Sequence, residues 1–314
     1  MNNIEEIKKL IGNTPLINIK YKYNNEVKNA YFKAEWYNLS GSIKDRVALG
    51  IIESAYKSGE LTHGQEIIET TSGNMGLALA CVGTKLGHKV VIFMPKFMSE
   101  ERKKLLKLYG ATLMLTDSFE DAFMQASEYA KNGGFLSLQF ENKNNLLAHY
   151  ATTGVEIAKQ SNNQVKGFVA GVGTSGTLMG VGKYLQDNLN VPIIAVEPYS
   201  SMILTSGKSQ GKHKIQGLSD SIVPALYDKQ VVSKIISVTD EDAIAMAQKL
   251  AQQFGFGVGI SSGANFIGAV LSNIDGIASV FPDDNKKYLT TDLAIPIVTP
   301  LVESIELIDF SVVK

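Results

Sequence analysis

Chemistry in this sequence gathers around Lys44. It lies in the stretch from Asn38 to Arg46, where the small residues Ser40, Gly41 and Ser42 run into a helix expected from near Ile43. Ser42 is placed to cap that helix, and Asp45 lies in its first turn, where the helix dipole favours an acid. A lysine in that turn stands at the unfavourable end of the same dipole. That field, with any burial, lowers its pKa and raises the share of neutral amine. A neutral lysine amine can form a Schiff base with an aldehyde. The competing reading is a surface lysine at a helix start, and for Lys44 taken alone it is sufficient.

Two further loops raise the stakes. A strand expected at 167–170 runs into Gly171-Val172-Gly173-Thr174-Ser175-Gly176-Thr177 and then into a helix. Glycines let backbone N–H groups approach a phosphate, and the helix start favours its charge. Thr174, Ser175 and Thr177 can add hydroxyl donors. The loop lacks the Lys-Ser/Thr ending of a nucleotide-hydrolysing loop and the acidic partner of a dinucleotide fingerprint. A tight glycine turn packing a helix on a sheet is the alternative. The second loop, Thr71 to Gly76, offers two hydroxyls, an amide and two glycines at another helix start, a cradle suited to a carboxylate. Gln139, closing a strand expected at 135–140, can add an amide donor. Here the alternative is a plain helix cap by Thr71 or Ser72.

The elements that must carry these loops alternate. Strands are expected at 66–69, 89–94 and 111–115, with helices at 77–86, 100–109 and 119–131 between and after them. Such alternation with short turns reads as an open, parallel α/β sheet. Ligands bind such sheets at the carboxyl ends of strands, where both loops stand. The polar stretch 141–145 has the composition of a linker. A helix over 152–160 precedes the second glycine loop, 199–229 is loop-rich, and 240–254 is a capped helix.

Composition narrows the function classes. The 314 residues are 45% hydrophobic and 19% charged, ordinary for a globular chain of one large or two medium domains. Thirty basic and 31 acidic residues leave a net charge of −1, so nucleic acid and anionic membranes are not expected partners. Cys81 is the only cysteine, which rules out an intrachain disulfide, and four histidines without ligand spacing suggest no metal centre. No apolar run approaches the roughly 20 residues of a membrane span. Residues 1–10 have no signal-peptide core. A cytoplasmic protein is expected.

Six motifs in order resemble the cysteine synthase group of fold-type II pyridoxal phosphate enzymes, which includes O-acetylserine sulfhydrylase and cystathionine β-synthase. They are IGNTPL at 11–16, SGSIKDR at 40–46, TSGNMG at 71–76, GVGTSGT at 171–177, KIQGL at 214–218 and GISSGA at 259–264. The resemblance implies a two-domain α/β fold like the tryptophan synthase β chain, with open, mostly parallel sheets and helices on both faces. The smaller, mobile substrate domain would be 37–142, inserted in a larger cofactor domain of 1–36 and 143–314, with pyridoxal 5'-phosphate between them. It further implies that Lys44 carries the cofactor and shuttles the α-proton. Gly173, Thr174, Ser175, Gly176 and Thr177 would hold the phosphate, Asn74 the ring oxygen, and Ser261 the pyridine nitrogen. Thr71, Ser72 and Gln139 would grip the substrate carboxylate, with Met75 beside them.

The implied reaction is β-replacement on a small amino acid through an aminoacrylate, with O-acetylserine and sulfide giving cysteine. Three departures stand out, two of which, Met75 and Asp220, keep a second reaction open. Met75 stands where the family usually has Thr, Ser175 where it usually has Gly, and Ser219-Asp220-Ser221 where sulfhydrylases carry small neutral residues. Asp220 can activate water or a thiol, or pair with an ammonium; a solvated loop acid is the alternative. With Asp220 as base, the chain would instead consume cysteine, release hydrogen sulfide, and add water or thiol to give serine, lanthionine or cystathionine. A non-catalytic regulatory binder is the reading from another class, which the retained Lys44 opposes. Family members are commonly homodimers, and some bind the C-terminus of serine acetyltransferase.

Overall fold

The computed structural model describes residues 2–71, 73–209, 211–218 and 222–313. The chain begins with α1 (Asn2–Lys8) and the hairpin of β1 (Leu16–Tyr23) and β2 (Glu26–Ala34), then enters α2 (Lys44–Ser58). β3 (Ile67–Thr70), α3 (Asn74–Lys85), β4 (Val90–Pro95), α4 (Glu100–Leu108), β5 (Thr112–Thr116), α5 (Phe119–Ala130) and β6 (Phe135–Leu136) alternate. α6 (Lys143–Ala148) passes through a π-helical turn, His149–Gly154, into α7 (Val155–Gln160). β7 (Gly167–Gly171), α8 (Gly176–Leu189), β8 (Ile193–Pro198) and the short α9 (Ile203–Ser206) follow. Then come β9 (Lys234–Val238), α10 (Asp240–Phe254), α11 (Ile260–Ser272), β10 (Ile277–Phe281), α12 (Pro300–Glu303) and β11 (Glu306–Val313).

Two compact units divide this material. The first comprises Met1–Gly12 and Asn38–Ala148, and the second Asn13–Tyr37 and His149–Lys314. The first is built on a four-stranded sheet in the order β5-β4-β3-β6, parallel throughout. Side chains alternate across a strand, so each face needs its own cover. Val90, Ile92 and Met94 of β4 join a core with α2 and α3, while Val91 and Phe93 face Ala122 and Ala126 of α5. That is the helix-on-both-faces α/β layer the alternating pattern predicts. Ile7 and Ile11 are buried in the same core as Val47, Ala48 and Ile51, which is why the N-terminal segment packs with this unit.

The second unit holds a seven-stranded sheet in the order β11-β1-β2-β10-β7-β8-β9. β1 runs antiparallel to both β2 and β11; every other pairing is parallel. Phe32 stacks on Phe281 and Phe266 with centroids 4.3 and 5.1 Å apart, which ties β2, β10 and α11 together. α10 and α11 cross so closely that a Cβ on Gly263 would lie 1.9 Å from the Ala243 carbonyl oxygen.

Some local expectations fail for identifiable reasons. The stretch 141–145 is not a linker: the Asn142 side chain accepts the Asn144 N–H (3.0 Å) and starts α6. The strand expected to reach residue 140 stops at Leu136, because Ser137 and Gln139 turn to meet a buried carboxylate described below. Among the described residues, no helix is long and apolar enough to cross a membrane, and no cluster of three or more potential ligands could hold a metal ion.

Candidate active site

Lys44 is the first residue of α2. Ile43, not Ser42, takes the capping position, but the Ser42 hydroxyl still accepts the Lys44 N–H (3.3 Å). The Asp45 carboxylate folds back to accept the N–H and hydroxyl of Ser40 at 2.7 and 2.5 Å, which fixes the loop ahead of Lys44. The residue keeps partial exposure, yet the protein packed around its amine brings the pKa down to about 8. Burial is the larger cause; the Glu69 carboxylate pulls the other way. On the order of a tenth of such an amine is neutral at pH 7.

Glu69 is the penultimate residue of β3, 2% exposed. Burial raises its carboxyl to about 7, against hydrogen bonds from the Ser137 hydroxyl and the Gln139 and Thr70 N–H groups and the charge of Lys44. The loop that follows is the one expected to cradle a carboxylate. Thr71 is buried, donates its N–H to Phe93 O (3.2 Å) and accepts the Gly73 N–H on its hydroxyl (3.2 Å). Asn74 opens α3 half-buried, behind a start with no side-chain cap. Gln139 is buried and donates its side-chain amide to Thr70 O (3.4 Å). Met75 points elsewhere: it is packed in the apolar core with Leu77, Ala78 and Val82, so its effect on the loop is through the packing beneath. Ser72 lies outside the described residues.

The glycine loop joins β7 to α8 in the second unit. A Cβ on Gly173 would stand 2.1 Å from the Gly217 carbonyl oxygen, so only glycine fits. Thr174 and Ser175 are buried, and Gly176 begins the helix. Ser175 holds a left-handed backbone (φ 70°), where glycine is free and serine is strained. Its hydroxyl is buried with no partner among the described residues, and no side chain caps α8. An uncapped helix start with an orphaned hydroxyl donor suits a phosphate. Ser261, 8% exposed, is the second residue of α11. One turn further, Asn265 accepts the Gly171 N–H (2.8 Å) and donates to Val280 O (2.8 Å), tying the start of α11 to the root of the glycine loop. Asp220, Ser219 and Ser221 lie outside the described residues.

Two residues, Glu69 and Asn265, escape the sequence reading; a third, His149, reads from the sequence as a structural residue that could border the cleft. Glu69 looks like one more strand residue until its burial is seen. Asn265 lacks any motif signal. His149 sits in the π-helical turn, buried, with Nε2 3.2 Å from the Thr177 hydroxyl and Nδ1 3.0 Å from that of Thr153. A π-turn is the kind of irregularity that accompanies functional sites, but it has no sequence signature.

Residues 7–280 match the family described as pyridoxal-phosphate dependent enzyme. A cysteine synthase B of Campylobacter jejuni is 41% identical over 304 residues, covering 92% of this chain and 98% of the relative. A cysteine synthase of Staphylococcus aureus is 38% identical over 301 residues, covering 92% and 97%. Among solved structures, a hydrogen sulfide-producing enzyme from Fusobacterium nucleatum superposes with a TM-score of 0.95 at 42% identity, covering 99% of both chains. A form of a hydrogen sulfide-producing enzyme with Asp replaced by Asn, complexed with an α-aminoacrylate intermediate, reaches 0.94 at the same identity, covering 98% of both. The chain belongs to the pyridoxal-phosphate dependent enzyme family. Within it, the chain is a cysteine synthase-like enzyme, dependent on pyridoxal phosphate and built for β-replacement or lyase chemistry. The residues present fit the cofactor: an amine of lowered pKa for its aldehyde, and the uncapped, hydroxyl-lined start of α8 for its phosphate.

Proposed function

We propose that this enzyme consumes cysteine, releasing sulfide and joining the remaining three-carbon unit to water or a second thiol. The observation that carries the reading is Asp220, an acid in the GLSDSIVP stretch directly after a segment packed on the glycine loop. Leu218 would touch a Cβ on Gly171, and the Gly217 carbonyl presses on Gly173. Likeness to the hydrogen sulfide-producing enzyme over 99% of both chains supports it.

Pyridoxal phosphate, when bound, supplies an electron sink that acidifies the α-carbon of an attached amino acid. Lys44 Nζ would hold its aldehyde carbon and, as a free amine, would take the substrate's α-proton; its lowered pKa keeps it available as a base near neutrality. Gly173 to Thr177 would hold the phosphate, Asn74 the ring oxygen, and Ser261 the pyridine nitrogen. A neutral hydroxyl there leaves the nitrogen unprotonated, which favours loss of a β-substituent over transamination. Thr71, Ser72 and Gln139 orient the substrate carboxylate. Asp220 takes a proton from the incoming water or thiol.

The second reading, O-acetylserine with sulfide giving cysteine, is favoured by the cysteine synthases at 38% and 41% identity. Product analysis separates the two. Sulfide and serine, or a thioether, from cysteine alone support the first; brisk cysteine formation from O-acetylserine and sulfide, with no sulfide from cysteine, supports the second. Asp220→Asn sharpens the test. In the first reading its sulfide burst equals the parent's while steady turnover falls about 10²–10⁴-fold; identical behaviour of both proteins reduces Asp220 to a loop residue. The reading includes a cytoplasmic homodimer, checked by light scattering. Binding of a serine acetyltransferase C-terminal peptide belongs only to the second reading.

A further inference from the structure

Glu69 is a buried carboxylate two residues before Thr71, and none of the roles above uses it. Its two oxygens are spoken for by three donors from two chain segments. Oε1 accepts the Thr70 N–H (2.9 Å) at the end of β3. Oε2 accepts the Ser137 hydroxyl (2.8 Å) and the Gln139 N–H (3.1 Å) beyond the end of β6. Between those two donors Leu138 is forced into the left-handed region (φ 51°), a conformation a leucine adopts only when its surroundings impose it. That kink lets Ser137 and Gln139 reach the same oxygen, and it ends the strand. Gln139 is held on two further sides, by its own amide on Thr70 O (3.4 Å) and by the Asn145 amide on its carbonyl (2.8 Å).

We propose that Glu69 is a positioning residue that clamps the Gln139 segment onto the end of β3, and so sets the spacing of the groups that grip the substrate carboxylate. The proposal rests on the assignment of Thr71 and Gln139 to that carboxylate. A carboxylate suits the task because it accepts three bonds at once, whereas a side-chain amide would point its own N–H groups at donors. Its negative charge also faces Lys44 and holds that amine's pKa above the value burial alone would give.

Glu69→Gln tests this with two readouts. The first is binding of L-alanine, an amino acid with no β-leaving group, followed by the absorbance of the bound cofactor. The second, on the cofactor-free protein, is the pH dependence of Lys44 acetylation by a limiting amine reagent, read by mass spectrometry. The clamp predicts alanine binding weaker by about tenfold, the size of one lost charge-assisted hydrogen bond. It also predicts a Lys44 labelling midpoint at lower pH, which a purely structural lesion would not produce. Unchanged affinity and midpoint in folded protein overturn it. If Glu69→Gln does not fold, Ser137→Ala removes one donor from the same carboxylate and must weaken alanine binding several-fold; unchanged binding again overturns the clamp. Failure of the β-replacement reading looks different: the parent itself would neither release sulfide from cysteine nor make cysteine.

Discussion

Lys44 and Ser175 both stand where a loop of small residues enters a helix, and the two loops are held by opposite means. The Lys44 side rests on charge placed in protein: Asp45 folded onto Ser40, Glu69 buried under three donors, an amine brought down to about 8. The glycine loop rests on backbone shape: Gly173 against a carbonyl, Ser175 left-handed, Asn265 bonded to a main-chain N–H. The difference suits the tasks proposed for the two loops. A group that moves protons needs its pKa displaced, and burial near an opposite charge does that. A group that only holds a phosphate needs fixed N–H and O–H directions, which neutral backbone supplies without charges that titrate.

Breaking each side should give distinct lesions. Lys44→Ala is the largest: turnover should fall at least about 10³-fold, because the proposed covalent anchor and base are both gone, while the proposed phosphate loop should still retain some cofactor. Steady-state rate and bound-cofactor absorbance, measured on one sample, check it; a variant that keeps turnover removes Lys44 from the chemistry. Gly173→Ala strikes the other side. Its Cβ cannot coexist with the Gly217 carbonyl at 2.1 Å, so the loop must shift, at about 1–3 kcal/mol. Cofactor retention on dialysis should drop about tenfold or more with the Lys44 labelling profile unchanged.

A third, smaller effect is in pH. Glu69 goes from 4.5 to about 7 on folding, so the folded chain binds the extra proton between these values and stability falls as pH rises through them. Lys44 goes from 10.5 to about 8, so the unfolded chain binds the extra proton there and stability rises from about pH 8 upward. The contribution of this pair to cofactor-free stability is therefore lowest between about pH 7 and 8. Urea midpoints across pH, parent minus Glu69→Gln, should show the lower limb vanish in the variant; two parallel curves would place the raised carboxyl elsewhere. Ser175→Gly is the smallest. Freed from the left-handed penalty, the cofactor-free protein should gain about 1 kcal/mol, yet hold phosphate more weakly for want of the hydroxyl. Thermal unfolding with and without added phosphate reads both signs.

How much of this was legible in residues alone tracks how local the physics is. α10 is met at both expected ends, because Thr239 accepts the Asp242 N–H at one and Gly255 takes the left-handed position at the other. The alternation from β3 to α5 is equally local. The strands β9 and β10 are hard to read: each is five residues, and β10 is buried throughout, Ser279 included, with no period to separate strand from helix. Of the site, the motif residues stand in their loops. Glu69 and Asn265 were invisible because each matters through a partner far along the chain, 68 and 94 positions away. Gly and Ser at 173 and 175 can be read as a phosphate loop or a tight turn; the orphaned Ser175 hydroxyl, which favours the first, shows only in the fold.

Trp36 is the chain's single tryptophan, and its ring lies 6.1 Å from those of both Phe256 and Phe281, beside the aromatic stack that ties β2 to β10. Every structural element in that contact set belongs to the seven-stranded unit. Indole emission is therefore an optical label already installed in one half of the molecule. Excited selectively, it follows melting of the larger sheet, while the visible band of a cofactor bound at Lys44, the role proposed above, would report loss of that linkage. Recorded in a single heating scan, the two colours would tell whether that sheet melts before, with or after the linkage is lost, without a dye or an engineered probe.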